Sequence, residues 1–282
     1  MSDTLIRKLQ LAQLGLLKEV DRVCKKNGLK YYMIAGTALG AVRHKGFIPW
    51  DIDLDVAMMR EDYEKLMNEC SADFGEEFFF QNYRTEKQHY SAHACLCLND
   101  SEIKFSTSTI VGEVKKHSGI YIDIFPLDTA PDDVKLQNKQ LKKIRFYKKI
   151  KNLKKNCKNM KGFLRCKWIA HDLIKLALAP FTFRFLNKRQ DKAMRKYNGC
   201  NSGLVASMAS KYSYKKQLMP ISVYGEPSRI WFEDGEYCVP ANIEFYLKKI
   251  YGNYMKLPPE NERESLMKLI AEVRFPENKK DI

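Results

Sequence analysis

Several things this chain lacks narrow what it can be. None of its eight cysteines, at positions 24, 70, 95, 97, 157, 166, 200 and 238, stands in a CxxC pair or at a zinc-site spacing from histidine. A finger-type zinc module is excluded, and the thiols read as reduced, buried or incidental. No stretch reaches about 18 uncharged apolar residues, the length that a membrane-spanning helix needs. The opening Met1-Ser2-Asp3-Thr4 leads into a pattern with charges every few residues. That is not the apolar core of a secretion signal, so the expected location is cytoplasmic. Internal repeats and low-complexity linkers are also missing.

What is present suits a globular enzyme: 282 residues, 45% hydrophobic and 12% aromatic, enough to bury a real core. The net charge of +15 is uneven, because residues 135–196 hold 21 Lys or Arg against only Asp172 and Asp191. That window carries +19 and the rest of the chain −4. Leu5, Leu9, Leu16, Val20 and Val23 recur at helical spacing up to Asn27-Gly28 and predict an amphipathic opening helix. A short strand over Leu29 to Ala35 follows, then Gly36-Thr37 and a helix from Ala38 to Arg43. Alternation predicts a strand from Asp51 to Met58, then a helix from Arg60 to about Cys70. Further strands are expected at Phe78 to Gln81, His93 to Leu98 and Gly119 to Phe125. The fold class expected is α+β, a mixed sheet with flanking helices and a basic helical insertion.

The chemistry concentrates in Pro49-Trp50-Asp51-Ile52-Asp53-Leu54-Asp55. In a strand Asp51, Asp53 and Asp55 share one face while Ile52, Leu54 and Val56 take the other. Three carboxylates on one face repel one another unless cations neutralise them, and hard oxygen donors favour Mg²⁺ or Mn²⁺. The plainer reading is an edge strand with its acids in solvent. Two neighbours argue against it. Gly36-Thr37 lies between a strand and a helix, where free N–H groups and a hydroxyl can meet a phosphate. Asp123, in Tyr121-Ile122-Asp123-Ile124-Phe125, is an acid in an apolar strand, costly unless paired or metal-bound. Arg43, His44 and Lys45 form a cationic cluster that either contacts substrate phosphates or is a solvated loop. Trp50 is either packing or a base- or choline-stacking wall, whereas Phe47 reads as packing.

The run Gly36 to Asp51, followed by Asp53, Asp55, Met58, Arg60, Asp62 and Tyr63, resembles the LicD family. So does Ile122-Asp123-Ile124-Phe125-Pro126-Leu127-Asp128, and so do Tyr251-Gly252-Asn253-Tyr254 and Leu257-Pro258-Pro259. One departure is Ile52, where many members carry another Asp. The resemblance implies a nucleotidyltransferase-like fold and transfer of phosphocholine, most often from CDP-choline, to a sugar of a cell-surface glycan or glycolipid. Related branches, including the fukutin-related proteins, are associated with other alcohol phosphates. It further implies that Asp53, Asp55 and Asp123 hold the metal and act in catalysis, while Gly36, Thr37, Arg43, His44, Lys45, Trp50 and Asp51 serve the substrate. Residues 1–130 would form the catalytic core, 131–198 the basic helical segment and 199–282 a part that completes the catalytic domain.

In the basic block Leu141, Ile144, Tyr147, Ile150 and Leu153 make one apolar stripe on an otherwise lysine-rich helix over 135–167. With the apolar but charge-broken Trp168 to Phe185, it suits either a helix on an anionic membrane surface or ordinary packing with solvated lysines. A glycosyltransferase with a DxD motif is a competing enzyme reading, but leaves the Gly36-Thr37 spacing unexplained. A nucleic-acid-binding protein would use the +19 block, for which no base-reading motif is present.

Overall fold

The computed structural model describes residues 3–105, 117–157, 176–260, 263 and 270–277. Helix α1, Asp3–Asn27, buries Leu9, Leu16, Leu17, Val20 and Val23 completely or nearly so. The predicted stripe is therefore the face on which the helix packs. Among these apolar residues Gln10 and Gln13 are buried as well, each only 3% exposed. Gln10 Nε2 donates to the carbonyls of Ile48 and Asp51 at 3.1 and 2.9 Å. Gln13 Nε2 donates to those of Ile52 and Tyr121 at 2.9 and 3.2 Å. A side-chain amide that satisfies buried carbonyls replaces the strand partner they would otherwise need. The Asp51 and Ile52 carbonyls are met in this way, while the Leu54 carbonyl accepts the Asp123 N–H of the sheet at 3.0 Å. Strand β2 spans Asp55–Met59, four residues shorter at its start than the sequence pattern predicts.

The main sheet has seven strands. Its path runs from β1 (Tyr32–Met33) through β2, β6 (Tyr121–Ala130) and β4 (Ala94–Leu98) to β3 (Phe78–Gln81), with β7 (Leu204–Ala206) on β6 and β8 (Met219–Pro220) on β7. The β2–β6 pair is parallel and the other pairs are antiparallel, so the sheet is mixed but mostly antiparallel. Strand β6 runs five residues beyond Phe125, through Pro126, and on that extension β7 docks. Two smaller sheets lie outside the predicted strands: the hairpin β9 (Ser228–Phe232) with β10 (Gly235–Val239), and β5 (Glu102–Phe105) with β11 (Ile270–Arg274).

Helix α2 is Ala35–His44, so it begins three residues before the predicted start and holds Gly36-Thr37 in its first turn. Ala35 opens it at φ 49, and the Tyr246 hydroxyl receives its N–H at 3.0 Å. At its other end Lys45 caps in the left-handed region. Glu233, in the β9–β10 turn, fixes the path of the chain from Lys45 to Phe47. Its N–H meets the Lys45 carbonyl and its carboxylate the Phe47 N–H, both at 2.8 Å. Helix α3, Arg60–Lys65, continues as one π-turn to Cys70.

The basic segment forms α4, Val134–Cys157, and α5, Phe183–Met194, which pack together. Residues 158–175, which hold Cys166 and most of the predicted apolar run from Trp168, lie outside the described residues. The lysine-rich remainder of α4 is not uniformly solvated. Lys151 is 4% exposed and donates at 2.6 Å to both the Tyr90 carbonyl and Asn187 Oδ1. No helix among the described residues is long and apolar enough to cross a membrane.

Candidate active site

Parallel pairing of β2 with β6 makes Asp55 and Asp123 register partners. Their apolar neighbours Val56, Ile122 and Ile124 are fully buried, and Leu54 nearly so. These anchors fix which way both acids face. On the other side of β6, Cys95 of β4 is the register partner of Asp123, and its thiol donates to Asp123 Oδ1 at 3.1 Å. His93 Nε2 lies 3.2 Å from the same oxygen. His93, Cys95 and Asp123 thus bring a nitrogen, a sulfur and a carboxylate oxygen within 4.8 Å of one another.

Asp51 and Asp53 stand on the extended lead-in to β2. Asp51 Oδ1 accepts from the N–H groups of Ile52 and Asp53 at 3.0 and 3.4 Å, which turns the carboxylate back over α2. Its Oδ2 lies where a Cβ on residue 36 would be, so only glycine fits there. Gly40 meets the same demand one turn on, since a Cβ there would sit 2.5 Å from the Gly46 carbonyl. Thr37 is 4% exposed, and its Oγ1 accepts the Asp55 N–H at 2.8 Å. Its hydroxyl thereby ties α2 to the acidic strand.

Two cavities meet at the acids. The first, about 480 Å³, is lined by Gly36, Arg43, Trp50, Asp51, Tyr251 and Tyr254. The second, about 240 Å³, is lined by His93, Asp123, Lys148, Lys151, Gln190 and Gln217. Asp53, Asp55, Lys211 and Tyr212 belong to both walls.

The cationic cluster divides. Arg43 donates to the carbonyls of Tyr254 and Lys256 at 2.8 and 3.4 Å. His44 meets the Trp50 ring edge-on with centroids 6.0 Å apart, and the Arg263 guanidinium covers a face of Trp50 at 5.2 Å. The Lys45 side chain is exposed and lines neither cavity. Gly36, Arg43, Trp50, Asp51, Asp53 and Asp55 therefore gather around one space, Asp123 closes the other, and Thr37, His44 and Lys45 stand behind.

Electrostatics follow from this crowding. Burial, then repulsion from Asp123 and Asp53, drives Asp55 well above the usual carboxylate range. Burial and Asp53 push Asp51 up to about 6. Burial also raises Asp53, with Asp123 adding to the rise and Lys211, 3.6 Å away, opposing it. Burial works against the Asp123 anion too, yet His93 and the Cys95 thiol outweigh it and hold Asp123 low. One carboxylate of the β2–β6 pair holds its charge and the other resists ionising, a condition that a cation would relieve.

Sequence reasoning does not find His93, Cys95, Lys211, Gln190 or Gln217. His93 and Cys95 alternate with core residues just before and within β4, a weak signal. Lys211 and Gln217 sit in the connection from β7 to β8, and no local pattern marks them.

Comparison with known proteins adds an independent line. The family model of the LicD/FKTN/FKRP nucleotidyltransferase domain matches residues 28–181, which include α2, β2 and β6. Lipopolysaccharide cholinephosphotransferase LicD of Haemophilus influenzae is 29% identical over 268 residues, 93% of this chain and 96% of that protein. Uncharacterized proteins of Rickettsia prowazekii and Rickettsia typhi are each 47% identical over 55 residues, 20% of this chain and 21% and 18% of theirs.

Proposed function

Because the chain belongs to the LicD/FKTN/FKRP nucleotidyltransferase-domain family, we propose that it transfers phosphocholine, or a related alcohol phosphate, from a CDP-activated donor to a hydroxyl of a cell-surface glycan. The observation that carries the reading is the juxtaposition of Asp53, Asp55 and Asp123 where two cavities meet. The similarity to the Haemophilus influenzae lipopolysaccharide cholinephosphotransferase supports choline as the alcohol and lipopolysaccharide as the acceptor.

The donor set fits a divalent ion. Asp55 and Asp123 are register partners and Asp53 shares a cavity wall with Asp55, and Asp53 and Asp55 are raised by burial and by repulsion from neighbouring acids that a cation offsets. Asp53, Asp55 and Asp123 would hold Mg²⁺ or Mn²⁺, which supplies charge neutralisation for the diphosphate and makes the acceptor hydroxyl more acidic. The chain's own residues do the positioning. The first cavity takes the donor, and Tyr212, Tyr251 and Tyr254 line it as aromatic surface for the base or the trimethylammonium group. The acceptor oxygen attacks the phosphorus that bears choline, the bond from that phosphorus to the CMP oxygen breaks, and CMP leaves. Asp123 orients the attacking hydroxyl and receives its proton, which His93 is placed to relay. Lys211 balances charge beside Asp53. Positioning and charge neutralisation suffice, so no covalent nucleophile is needed.

The reading is tested by incubating the protein with lipopolysaccharide acceptor, Mg²⁺ and CDP-choline, CDP-ribitol or UDP-sugars in turn. CMP release that needs acceptor and metal is expected from a CDP-alcohol. Turnover of UDP-sugars alone would replace this reading with a glycosyltransferase. The same reading puts the protein in the cytoplasm, peripheral at the inner face of the cell membrane. Phe146, Leu176, Phe181 and Phe185, 57, 72, 38 and 40% exposed among the lysines of the basic segment, support contact with anionic lipid. Flotation with anionic vesicles at low salt checks it.

A further inference from the structure

The second cavity has a polar character that the carboxylates do not explain. Gln190 on α5 and Gln217, at the end of the short helix α6 (Tyr214–Gln217), are 2% and 1% exposed and both line it. The Oε1 atom of each is buried without a hydrogen-bond partner among the described residues, and so is Nδ1 of His93. A buried amide oxygen left unpaired costs about 1–3 kcal/mol; Gln190 and Gln217 each carry one beside this cavity, as Gln13 and Gln140 do away from it, and a ligand that donates to both would relieve that cost. Lys148 of α4 lines the cavity too, with its side chain exposed. Donated hydroxyls and a nearby cationic edge describe a sugar ring with an anionic substituent. An apolar group would leave those oxygens unpaired.

We infer that this cavity is the acceptor subsite, in which Gln190 and Gln217 accept hydrogen bonds from hydroxyls of one sugar unit while Lys148 meets an anionic group on that sugar or its neighbour. The inference rests on the transfer reaction proposed above and adds to it which residues choose the acceptor. Its geometry is consistent with that reaction, since Asp53 and Asp55 form a wall shared with the first cavity and Asp123 faces only the second. A sugar hydroxyl held here lies on the far side of the acids from the donor.

The test is steady-state kinetics of Gln190→Met, Gln217→Met and Lys148→Ala with CDP-choline and lipopolysaccharide as the varied substrates. Methionine keeps the length of glutamine without its amide, and Lys148 is exposed, so its removal leaves packing intact. Each change is expected to raise the acceptor KM about threefold to tenfold, the value of one hydrogen bond or ion pair, with the donor KM unaltered. Donor KM rising in place of acceptor KM, or neither moving while transfer proceeds, would overturn the assignment. Should the native protein turn over no CDP-alcohol at all, the transfer reading fails and binding still reads the cavity. Saturation-transfer NMR with the lipopolysaccharide core oligosaccharide then decides: signals weakened in both glutamine variants sustain the subsite, and signals equal to wild type remove it.

Discussion

The strands that carry the acids and the helices that face them are held in place by different forces. Strands β2 and β6 sit in continuous apolar packing: Val56, Ala57, Met58, Ile122 and Ile124 are all fully buried. Among the described residues, helices α4 and α5 share a small buried apolar cluster, Ile144, Ala193 and Met194, with Tyr147 packed against it. Directional bonds supply the rest. Gln140 Nε2 donates to the carbonyls of Ala193 and Met194, and Asn187 joins Lys151 to the His89 carbonyl. Arg60 of α3 donates at 2.8 and 2.6 Å to the two oxygens of Asp128, which is wholly buried, and at 2.8 Å to Asp191 of α5. Apolar burial is tolerant of exact geometry, whereas buried polar pairs hold a wall in one position and penalise any other.

Substitutions that probe this contrast fall in order of size. Asp55→Asn is expected to abolish transfer, by about 10³-fold or more, because it removes a group that acts on developing charge. Burial and two neighbouring acids disfavour the Asp55 anion, so the metal-free variant should melt higher than wild type. Activity assays beside thermal melts check both halves, and a variant that is active or unfolded breaks the view that the strands are rigid without this charge. Arg60→Met leaves Asp128 buried without its cation, with the Asn198 amide still donating to it, and should cost about 3–5 kcal/mol in urea unfolding. A loss under about 1 kcal/mol would mean that apolar packing, not the ion pairs, seats α5. Asn187→Ala removes one of the two bonds that Lys151 donates and the bond to the His89 carbonyl, and should cost about 1–3 kcal/mol.

Counted per pH unit, the smallest effect is a pH slope. Burial, with Lys148 nearby, brings Lys151 down to about 7, while the unfolded chain keeps that proton to about 10.4. Between those values the unfolded state binds more protons, so stability rises with pH, by at most about 1.4 kcal/mol per unit. Lys151→Met should lose this slope in melts taken from pH 7 to 10.

The two regions also differ in how far the sequence discloses them. Alternation over residues 51–56 correctly separates Ile52, Leu54 and Val56 from the acids, because burial imposes a period of two even on the non-sheet lead-in. The same alternation misplaces the start of β2, because the Asp51 and Ile52 carbonyls are met by a pair of glutamines about forty positions earlier and not by a strand. Helix α2 starts early because Tyr246, over two hundred residues away, receives the N–H of Ala35. Strand β3 is legible to the residue, being apolar and flanked by turns. The helical wall is legible as helix and charge only. The burial of Lys151 and the pairing of Gln190 with Gln217 in one cavity depend on contacts between distant segments, for which composition holds no signal.

The position of Lys211 has a consequence for the order in which the molecule is made. Asp51, Asp53, Asp55 and Asp123 all leave the ribosome before the cation that balances them, and before Gln190 and Gln217. Strand β7, which pairs with the far end of β6, lies between α5 and Lys211 in the chain and must be synthesised first. A nascent or truncated chain that ends before β7 carries the acids without that balancing lysine. The acids therefore stay without that lysine until residue 211 has been made.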